Sequence, residues 1–497
     1  MASCIFSYLL SEPELEIEAL PCRRTFGKYH LCTDVRTPLM YARSEQRECI
    51  VFGLAIHVIT GESAQIAENI VSRCARISDV LDFEKHLGGK YLILFREGEN
   101  YFILGDATCS VPVFYHTAGS CMVASHLQFI VHQNHDLPDS RLLNIRRSGD
   151  ISQAMPFDIT EYQDIKQLIP NHYLSVNDQT AVRFINFEKL QPIISAEKAA
   201  ALTAPMIDTL CRFYLNTFPV YCPITAGRDS RVVLSFLASH HPSVACYTIR
   251  HPEHRAETQD LVIPKQLCGA AHFSYQQFND VIVPENVQAE VDRFLGKDKY
   301  SFRTLRIAQT INEHFSDGAI INGDIIGQVG KCSLHRDIPL RFATPAYFRC
   351  KLHNYSRDSK TQLKQWLADI RKGGEQVNPL DLFSIENRLG RWAAQENLIY
   401  NTLGQVYLNL FNSRSIIYLW TAVSRKERKE SAIHMHLIRE KMPQLLKFPF
   451  ESDDSFLIRL SKTNGLTYLL ASYLKYYIQR RQFNRGSSYE KNHCDSR

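Results

Sequence analysis

Short apolar runs separated by polar residues dominate the first 190 residues of the chain. They lie at 49–59, 90–95, 101–104 and 111–115. Their lengths are typical of β-strands, and one stretch with helical spacing, 64–81, interrupts them. The pattern predicts a strand-rich α+β domain over residues 1–190.

Beyond this first part, helices begin to alternate with strands. Residues 196–215 have helical spacing, and Ser195 is a suitable N-cap. A strand, a loop, a helix, a second strand and a second helix then follow one another within 220–269. This order predicts a doubly wound parallel sheet in a domain over 195–482, with a ligand at the carboxyl ends of its strands. A Gly/Ser-containing end over 483–497 predicts a disordered tail.

The composition narrows the class of protein. The 497 residues suffice for two or three domains, and 57 Lys and Arg against 52 Asp and Glu give a charge of +5, which does not favour a nucleic-acid partner. Fourteen cysteines are scattered without a CxxC pair, as in reduced intracellular proteins. The N-terminus lacks a basic region, and no apolar run approaches the roughly 18 residues of a membrane span. We therefore predict a soluble, cytoplasmic protein without a membrane partner.

A loop of mostly small residues at 225–230 joins a predicted strand to a predicted helix. Backbone N–H groups at such a helix start, together with the helix dipole, bind phosphate. Hydroxyls hold phosphate oxygens, a glycine permits close backbone approach, and a carboxylate holds the Mg²⁺ that neutralises pyrophosphate. These roles fall on Thr225 and Ser230, on Gly227 and on Asp229, with Ala226 and Arg228 in the same loop. An ordinary strand-to-helix turn is the structural alternative.

This loop resembles the SGGxDS pyrophosphate loop of the ATP-pyrophosphatase superfamily, whose members cleave ATP between the α and β phosphates. The resemblance implies ATP and Mg²⁺ as cofactors, with Asp229 as the metal ligand. Thr248 and Ile249 lie on a strand that borders adenine in asparagine synthetases, and Asp260 matches an acidic position at the start of their next helix. Asp260 equally suits a helix-dipole partner.

A second apolar strand further along the chain runs into another glycine-containing loop. It resembles the SG(D/E)GxDE loop that closes over pyrophosphate in asparagine synthetases. The resemblance places Gly323 in the nucleotide site and makes Asp324 the base for the incoming amine. The later acidic pair of that loop is Gly327 and Gln328 here. Either Lys331 compensates the charge directly, as a catalytic residue, or the metal site is reduced. A strand-to-helix turn is again the structural alternative.

Four pieces of the first half follow one another in a recognisable order. They lie at 87–95, 105–115, 123–129 and 165–176. Together they resemble the N-terminal glutamine-amidotransferase domain of asparagine synthetases, with Asn171 where that family has a glycine, a place that asparagine tolerates because it visits the left-handed region. The family's nucleophile is an N-terminal cysteine, whereas Cys4 is internal here. We therefore expect a degenerate domain without glutamine hydrolysis that caps the second domain, with residual amide binding as the alternative.

The last third of the chain offers candidates for further phosphate ligands and for a lysine that stabilises the adenylate. Arg388, Arg391 and Arg414 are candidates for bidentate phosphate binding, although arginines on helices also pair with local carboxylates. The resemblance implies a late catalytic lysine, for which Lys447 and Lys462 are the candidates.

Together these features predict an Ntn-hydrolase-type α+β sandwich followed by a doubly wound α/β ATP-pyrophosphatase domain with extra helices. We expect an asparagine-synthetase-like ligase, similar to β-lactam synthetases and lasso-peptide cyclases, that adenylates a carboxylate and forms an amide bond. Its substrate is a small molecule, a peptide or a glycan precursor, and a homodimer or an accessory biosynthetic protein stays open as partner. A nucleotide-binding scaffold without catalysis and a nucleic-acid-modifying ATP-pyrophosphatase are the alternatives.

Overall fold

The computed structural model of this chain describes most of its residues. They are 4–147, 155–184, 193–240, 244–251, 255, 257–297, 299–315, 317–331, 338, 340–352, 354, 356, 358–372, 378–450, 467, 469–471, 473–478 and 481. The candidate Lys462, the predicted boundary near residue 190 and the predicted tail over 483–497 lie outside the described residues.

The described chain alternates strands and helices whose bounds are as follows. The strands are β1 Tyr8–Ser11, β2 Cys22–Phe26, β3 Tyr29–Thr33, β4 Leu39–Arg43, β5 Arg47–His57, β6 Leu87–Glu97, β7 Asn100–Gly105, β8 Phe114–His116, β9 Met122–Ala124, β10 Ile165–Gln167, β11 His172–Ser175, β12 Thr180–Arg183, β13 Val220–Pro223, β14 Val244–Arg250, β15 Ser274–Asn279, β16 Ala319–Asn322 and β17 Val406–Asn409. The α-helices are α1 Ile66–Arg73, α2 Ile77–Glu84, α3 Leu127–Asn134, α4 Ser140–Arg147, α5 Ala196–Thr217, α6 Asp229–Ser239, α7 Gln259–Ala270, α8 Glu285–Leu295, α9 Phe302–His314, α10 Pro345–Leu352, α11 Asp358–Arg371, α12 Pro379–Phe383, α13 Ala394–Thr402, α14 Arg414–Thr421, α15 Arg425–Lys429 and α16 Ala432–Lys441.

Strands β1 to β12 form two antiparallel sheets that pack face to face. Their orders are β10-β8-β9-β1-β3-β2 and β12-β11-β7-β6-β5-β4. Side chains alternate across each strand, so one set meets in a shared core, where the ring of Tyr8 lies 5.8 Å from that of Phe52. The other set is covered by α1 and α2 on one sheet and by α3 on the other. The predicted strand-rich α+β character of this part of the chain is therefore confirmed.

One helix prediction in this region is wrong. The segment 64–81 is two helices, because the chain is extended at Cys74 and again at Arg76. The carboxylate of Asp79 accepts the backbone N–H groups of Ala75 and Arg76 at 2.8 and 3.0 Å, and so begins a second helix. Helical spacing alone does not reveal such an internal cap.

Strands β13 to β17 form a parallel sheet in the order β15-β14-β13-β16-β17. Helices α5, α6, α7 and α16 pack on one of its faces, and α8, α9 and α13 pack on the other. The predicted doubly wound α/β architecture is thus confirmed. The order of strands reverses between β13 and β16, and in such sheets the crevice at this switch point, beyond the carboxyl ends of the strands, is where ligands bind.

The sandwich and the parallel sheet share buried polar contacts. Lys90 on β6 is 2% exposed, and its ammonium group donates to Asn397 Oδ1 at 2.9 Å, Asn401 Oδ1 at 2.7 Å and the Tyr407 carbonyl at 3.3 Å. Burial lowers the pKa of Lys90 to about 7. Three acceptors for three ammonium hydrogens make Lys90 a polar anchor between the two parts of the fold.

Within the described part of the chain, none of the helices combines the length and the apolar character that a membrane span requires.

Candidate active site

The loop at 225–230 leaves β13 at the switch point of the parallel sheet, and α6 begins within it. Its side chains stabilise the loop itself. Thr225 N–H donates to Ser230 Oγ at 3.2 Å, Gly227 N–H donates to Thr225 Oγ1 at 3.2 Å, and the two hydroxyl oxygens lie 3.1 Å apart. The hydroxyls predicted to hold phosphate oxygens therefore lie at the loop and also shape it.

The predicted nucleotide residues after the loop lie beside it. The backbone N–H of Ala226 donates to Asp260 Oδ1 at 2.6 Å, and Asp260 is in the first turn of α7. Thr248 Oγ1 donates to the carbonyl of Ile224 at 2.7 Å, and Ile249 follows it on β14. Thr248 thus joins β14 to the end of β13, whereas Asp260 occupies a loop N–H that an anion would otherwise use.

Asp229 lies at the start of α6 with a cationic partner on one carboxylate oxygen and a histidine on the other. His434 Nε2 is 2.8 Å from Oδ1, and Lys331 Nζ is 3.6 Å from Oδ2. Burial raises the pKa of the Asp229 carboxyl, but the His434 hydrogen bond and the Lys331 charge outweigh it and lower the pKa overall. The carboxylate is therefore the stable form. The sequence does not reveal His434 as a partner of Asp229, because the two residues are 205 positions apart and His434 lies in no motif.

Two glycines after β16 allow this close packing. A Cβ atom at Gly323 would lie 3.1 Å from the Asp229 carbonyl oxygen, and one at Gly327 would lie 2.6 Å from Asp229 Oδ2. The chain here is not the open glycine-containing loop expected from the sequence. After Gly323 the chain turns into a helix that begins at Asp324, and Ile326–Gly330 is a π-helical turn. The prediction of a loop is wrong, because backbone N–H and carbonyl groups form helical hydrogen bonds here. The segment is therefore a strand-to-helix turn, the alternative named from the sequence.

Asp324 is half-buried between the parallel sheet and the sandwich. Its Oδ2 accepts the Tyr407 hydroxyl at 3.2 Å. Burial raises its pKa to about 6, against the hydrogen bond from Tyr407, and the Asp229 charge adds to the rise. It faces a small cavity of about 30 Å³, also lined by Lys90, Thr108 and Asn412. A carboxylate with a pKa near neutrality can accept a proton at physiological pH.

A second perturbed carboxyl, Glu396 on α13, lies near Asp324 and is missed by the sequence analysis. Thr304 Oγ1 donates to its Oε1 at 3.1 Å. Burial raises the pKa of Glu396 to about 8, and the charge of Asp324 raises it further, against the Thr304 bond and nearby arginines. A lone glutamate in a helical pattern carries no sequence signal for this role.

The predicted phosphate arginines lie elsewhere. Arg391 is buried and donates to the carbonyls of Met155 and Ile159, and Arg414 is buried against Glu84, with its Nε 2.6 Å from Oε2. The phosphate role proposed for Arg391 and Arg414 is therefore wrong, because both side chains are used to join the sandwich to the second half. Arg388 lies 5.1 Å from the Trp392 ring.

An arginine that the sequence analysis missed fixes the loop to a later segment. The buried guanidinium of Arg231 donates to the Ala226 carbonyl at 3.0 Å and to those of Leu445, Phe448 and Pro449 at 3.0, 2.9 and 2.9 Å. Lys447, a candidate for the adenylate lysine, is exposed within this segment. The loop and the chain near Lys447 are thus held as one unit.

The side chains around Asp229 offer few ligands for a protein-held Mg²⁺. Among the described residues no group of three His, Cys, Asp or Glu could hold a metal. Lys331 places an ammonium beside one oxygen of Asp229, and Gly327 offers no side-chain donor. Hard divalent ions take several oxygen ligands. As they lie, these side chains do not fit an ion bound at Asp229.

The sequence matches no protein-family model and no curated protein. Three solved structures are similar at low levels. NMN synthetase from Francisella tularensis is 9% identical, with 52% of this chain and 100% of that chain covered and a TM-score of 0.19. Glutamine phosphoribosylpyrophosphate amidotransferase from B. subtilis, complexed with ADP and GMP, is 11% identical over 62% and 64%, with a TM-score of 0.22. The U34-tRNA thiolase NcsA from Methanococcus maripaludis, with its [4Fe-4S] cluster, is 13% identical over 53% and 89%, with a TM-score of 0.20.

Proposed function

We propose that this protein is an ATP-dependent, AMP-forming ligase of the ATP-pyrophosphatase type that joins a carboxylate to an amine. One observation carries the proposal. The loop at 225–230 and Asp324 leave the two central strands, β13 and β16, at the switch point of the parallel sheet. The loop resembles the pyrophosphate loop of that superfamily, and we therefore propose ATP as the ligand at the switch point.

The proposed chemistry has two steps. A carboxylate oxygen of the substrate attacks the α-phosphorus of ATP, the bond from that phosphorus to the bridging oxygen breaks, and pyrophosphate leaves. An amine nitrogen then attacks the acyl carbon, AMP leaves, and the proton of the amine passes to Asp324. The raised pKa of Asp324, about 6, leaves it mostly ionised at pH 7 and able to accept that proton.

The loop must exchange hydrogen bonds when it binds phosphate. At rest Asp260 accepts the Ala226 N–H, and Thr225 accepts the Gly227 N–H. Both donors are near the start of α6, where the positive end of the helix dipole favours an anion. Pyrophosphate would replace these acceptors with its own oxygens.

We further propose that the amine is not made from glutamine within this chain. The Cys4 side chain is 3% exposed, and its thiol points to the Ala19 carbonyl at 3.6 Å. Burial raises the pKa of Cys4, which disfavours the thiolate needed for attack. An amine carried by the substrate itself, whether a small molecule, a peptide or a glycan precursor, fits this arrangement.

Exchange of labelled pyrophosphate into ATP, measured with a panel of carboxylic acids and amino acids, tests the proposal. We expect carboxylate-dependent exchange by the full chain. Asp229→Ala should lose it, because the variant removes the carboxylate that holds the Lys331 ammonium group beside the loop. Asp82→Ala, an exposed site on α2, is the matched control and should exchange like the wild type. Equal exchange by Asp229→Ala would remove the loop as the ATP site.

A second candidate, a nucleotide-binding scaffold, is favoured by the ion pair between Lys331 and Asp229. ATP would then bind at the loop without being cleaved. Measurable ATP binding, abolished by Asp229→Ala, with no exchange for any carboxylate, would select the scaffold over the ligase.

A further inference from the structure

The position of the Asp229 carboxylate is determined by a buried histidine. His434 on α16 is fully buried, and within the described part of the chain its Nδ1 has no hydrogen-bond partner. Its other nitrogen, Nε2, lies 2.8 Å from Asp229 Oδ1. A carboxylate only accepts hydrogen bonds, so the Nε2 atom carries the proton and donates it. The histidine therefore holds Oδ1 and turns Oδ2 towards the π-helical turn Ile326–Gly330.

The other oxygen of Asp229 faces a glycine and a lysine of that turn. A Cβ atom at Gly327 would lie 2.6 Å from Oδ2, closer than real Cβ contacts come, so no side chain fits there while Asp229 keeps its conformation. Lys331, four residues later, places Nζ 3.6 Å from the same oxygen. Gly327 and Lys331 thus lie beside the same oxygen of Asp229.

This arrangement has the chemistry of an anion site. The Lys331 ammonium group lies at the start of α6, 3.6 Å from Asp229 Oδ2, and the N-terminus of α6 adds partial positive charge there. Both side chains are about one third exposed, at 34% and 35%, so a ligand can reach the ammonium. Lysine ammonium groups bind phosphate as compact point charges and need no metal to do so.

We propose that Lys331 supplies the positive charge that pyrophosphate needs at this loop, in place of a divalent ion held by Asp229, and that His434 is the residue that positions this pair. The inference rests on the proposed function, because it assumes that the loop binds the pyrophosphate part of ATP. The ligand class is an inorganic pyrophosphate or the triphosphate end of a nucleotide, taken without an ion bound to the protein.

Calorimetric binding of inorganic pyrophosphate to the full chain, in EDTA and then in excess Mg²⁺, tests this directly. We expect the two dissociation constants to agree within about threefold, and Lys331→Met to weaken metal-free binding by about tenfold or more. Lys331→Arg should keep most of the affinity, because it keeps the charge. Lys360→Met, an exposed lysine on α11, is the matched control and should bind like the wild type.

The positioning role of His434 is tested in the same assay. His434→Leu removes the donor and should weaken metal-free pyrophosphate binding, whereas His434→Gln keeps an N–H donor and should restore part of it. A purely structural role would lower the melting temperature of both variants without this difference in affinity.

Several results would overturn the inference. They are binding only when Mg²⁺ is present, an Mg²⁺ enhancement that disappears in Asp229→Asn, an unchanged affinity in Lys331→Met, and no binding in either medium. The ligase proposal fails separately. Binding of metal-free pyrophosphate through Lys331 without any exchange into ATP would support the anion site and contradict the ligase proposal. Exchange into ATP together with pyrophosphate binding only in Mg²⁺ would support the ligase proposal and contradict the metal-free anion site.

Discussion

The hydroxyl of Tyr407 donates to Oδ2 of Asp324 across 3.2 Å, and the Tyr407 ring stacks on Tyr400 with centroids 4.1 Å apart and planes at 4°. The stacking holds the Tyr407 ring in one orientation, and its hydroxyl therefore donates a hydrogen bond to Oδ2 of Asp324. Because a hydrogen bond to the charged form favours that form, Tyr407 limits the rise that burial imposes on the pKa of Asp324.

Tyr407→Phe keeps the stacked ring and removes only the hydroxyl. The pKa of Asp324 should then rise above its value of about 6, by roughly half to one unit. A carbon-13 NMR titration of labelled aspartate carboxyls measures this, with Asp324→Asn to assign the signal. An unchanged or lower pKa would mean that the hydroxyl does not stabilise the carboxylate. In an active ligase, the acidic limb of the pH–rate profile for amide formation should move to higher pH with it.

Glu396→Gln should stabilise the protein at alkaline pH. The folded-state pKa of about 8 lies above the unfolded value of about 4.3, so the folded state holds its proton more tightly. That contribution is present in full below pH 4.3 and is lost as the pH rises through 8. The glutamine mimics the protonated form and avoids the loss. We expect a gain on the order of 1 kcal/mol at pH 9, after allowing for partial exposure, and little difference at pH 5.

Urea unfolding of wild type, Glu396→Gln and the exposed control Glu45→Gln at the two pH values measures the difference. An equal gain by Glu45→Gln, or a gain by Glu396→Gln that does not depend on pH, would contradict the assignment.

Lys90→Met should weaken the contact between the sandwich and the parallel sheet. Removal of the ammonium leaves the oxygens of Asn397, Asn401 and Tyr407 without their donor in a buried place. Buried acceptors without a donor lower the free energy of unfolding by at least about 1 to 3 kcal/mol. The midpoint of urea unfolding should fall clearly below that of Lys198→Met, a control on the exposed side of α5. Equal midpoints would show that Lys90 is not an anchor.

Asp260→Asn should strengthen pyrophosphate binding. The asparagine oxygen can still accept the Ala226 N–H, which Asp260 now accepts at 2.6 Å, but the negative charge beside the loop is removed. A single charge near an exposed anion site changes affinity by about threefold. Calorimetry on Asp260→Asn and on the remote control Asp82→Asn measures it. Weaker binding would mean that the Asp260 charge fixes the loop in its binding form.

Much of the fold follows from local patterns in the sequence. The apolar runs at 49–59 and 90–95 predict strands and lie in β5 and β6. Ser195 caps α5 as expected, with its Oγ accepting the Lys198 N–H at 3.2 Å. Asn171 has a φ of +66°, the left-handed conformation that its place in the sequence requires. These features depend on neighbouring residues, so the sequence carries them directly.

The site is only partly predictable, because its partners come from distant segments. Asp229, Asp260 and Lys331 lie at the loop, each beside or near a motif that the sequence displays. His434 and Glu396 lie on helices without motifs, and only the packing of α16 and α13 brings them in. Arg414 fails as a phosphate ligand for the same reason, since its partner Glu84 is 330 residues away.

The side chains that are possible at positions 229, 327 and 331 depend on one another, because Gly327 has no side chain. Any larger residue there would meet Asp229 Oδ2, and an acidic one would also compete for the Lys331 ammonium. A larger residue at position 327 therefore requires the Asp229 side chain to move, whereas Lys331→Arg leaves both the space and the charge in place. Asp229, Gly327 and Lys331 therefore limit one another's choice of side chain.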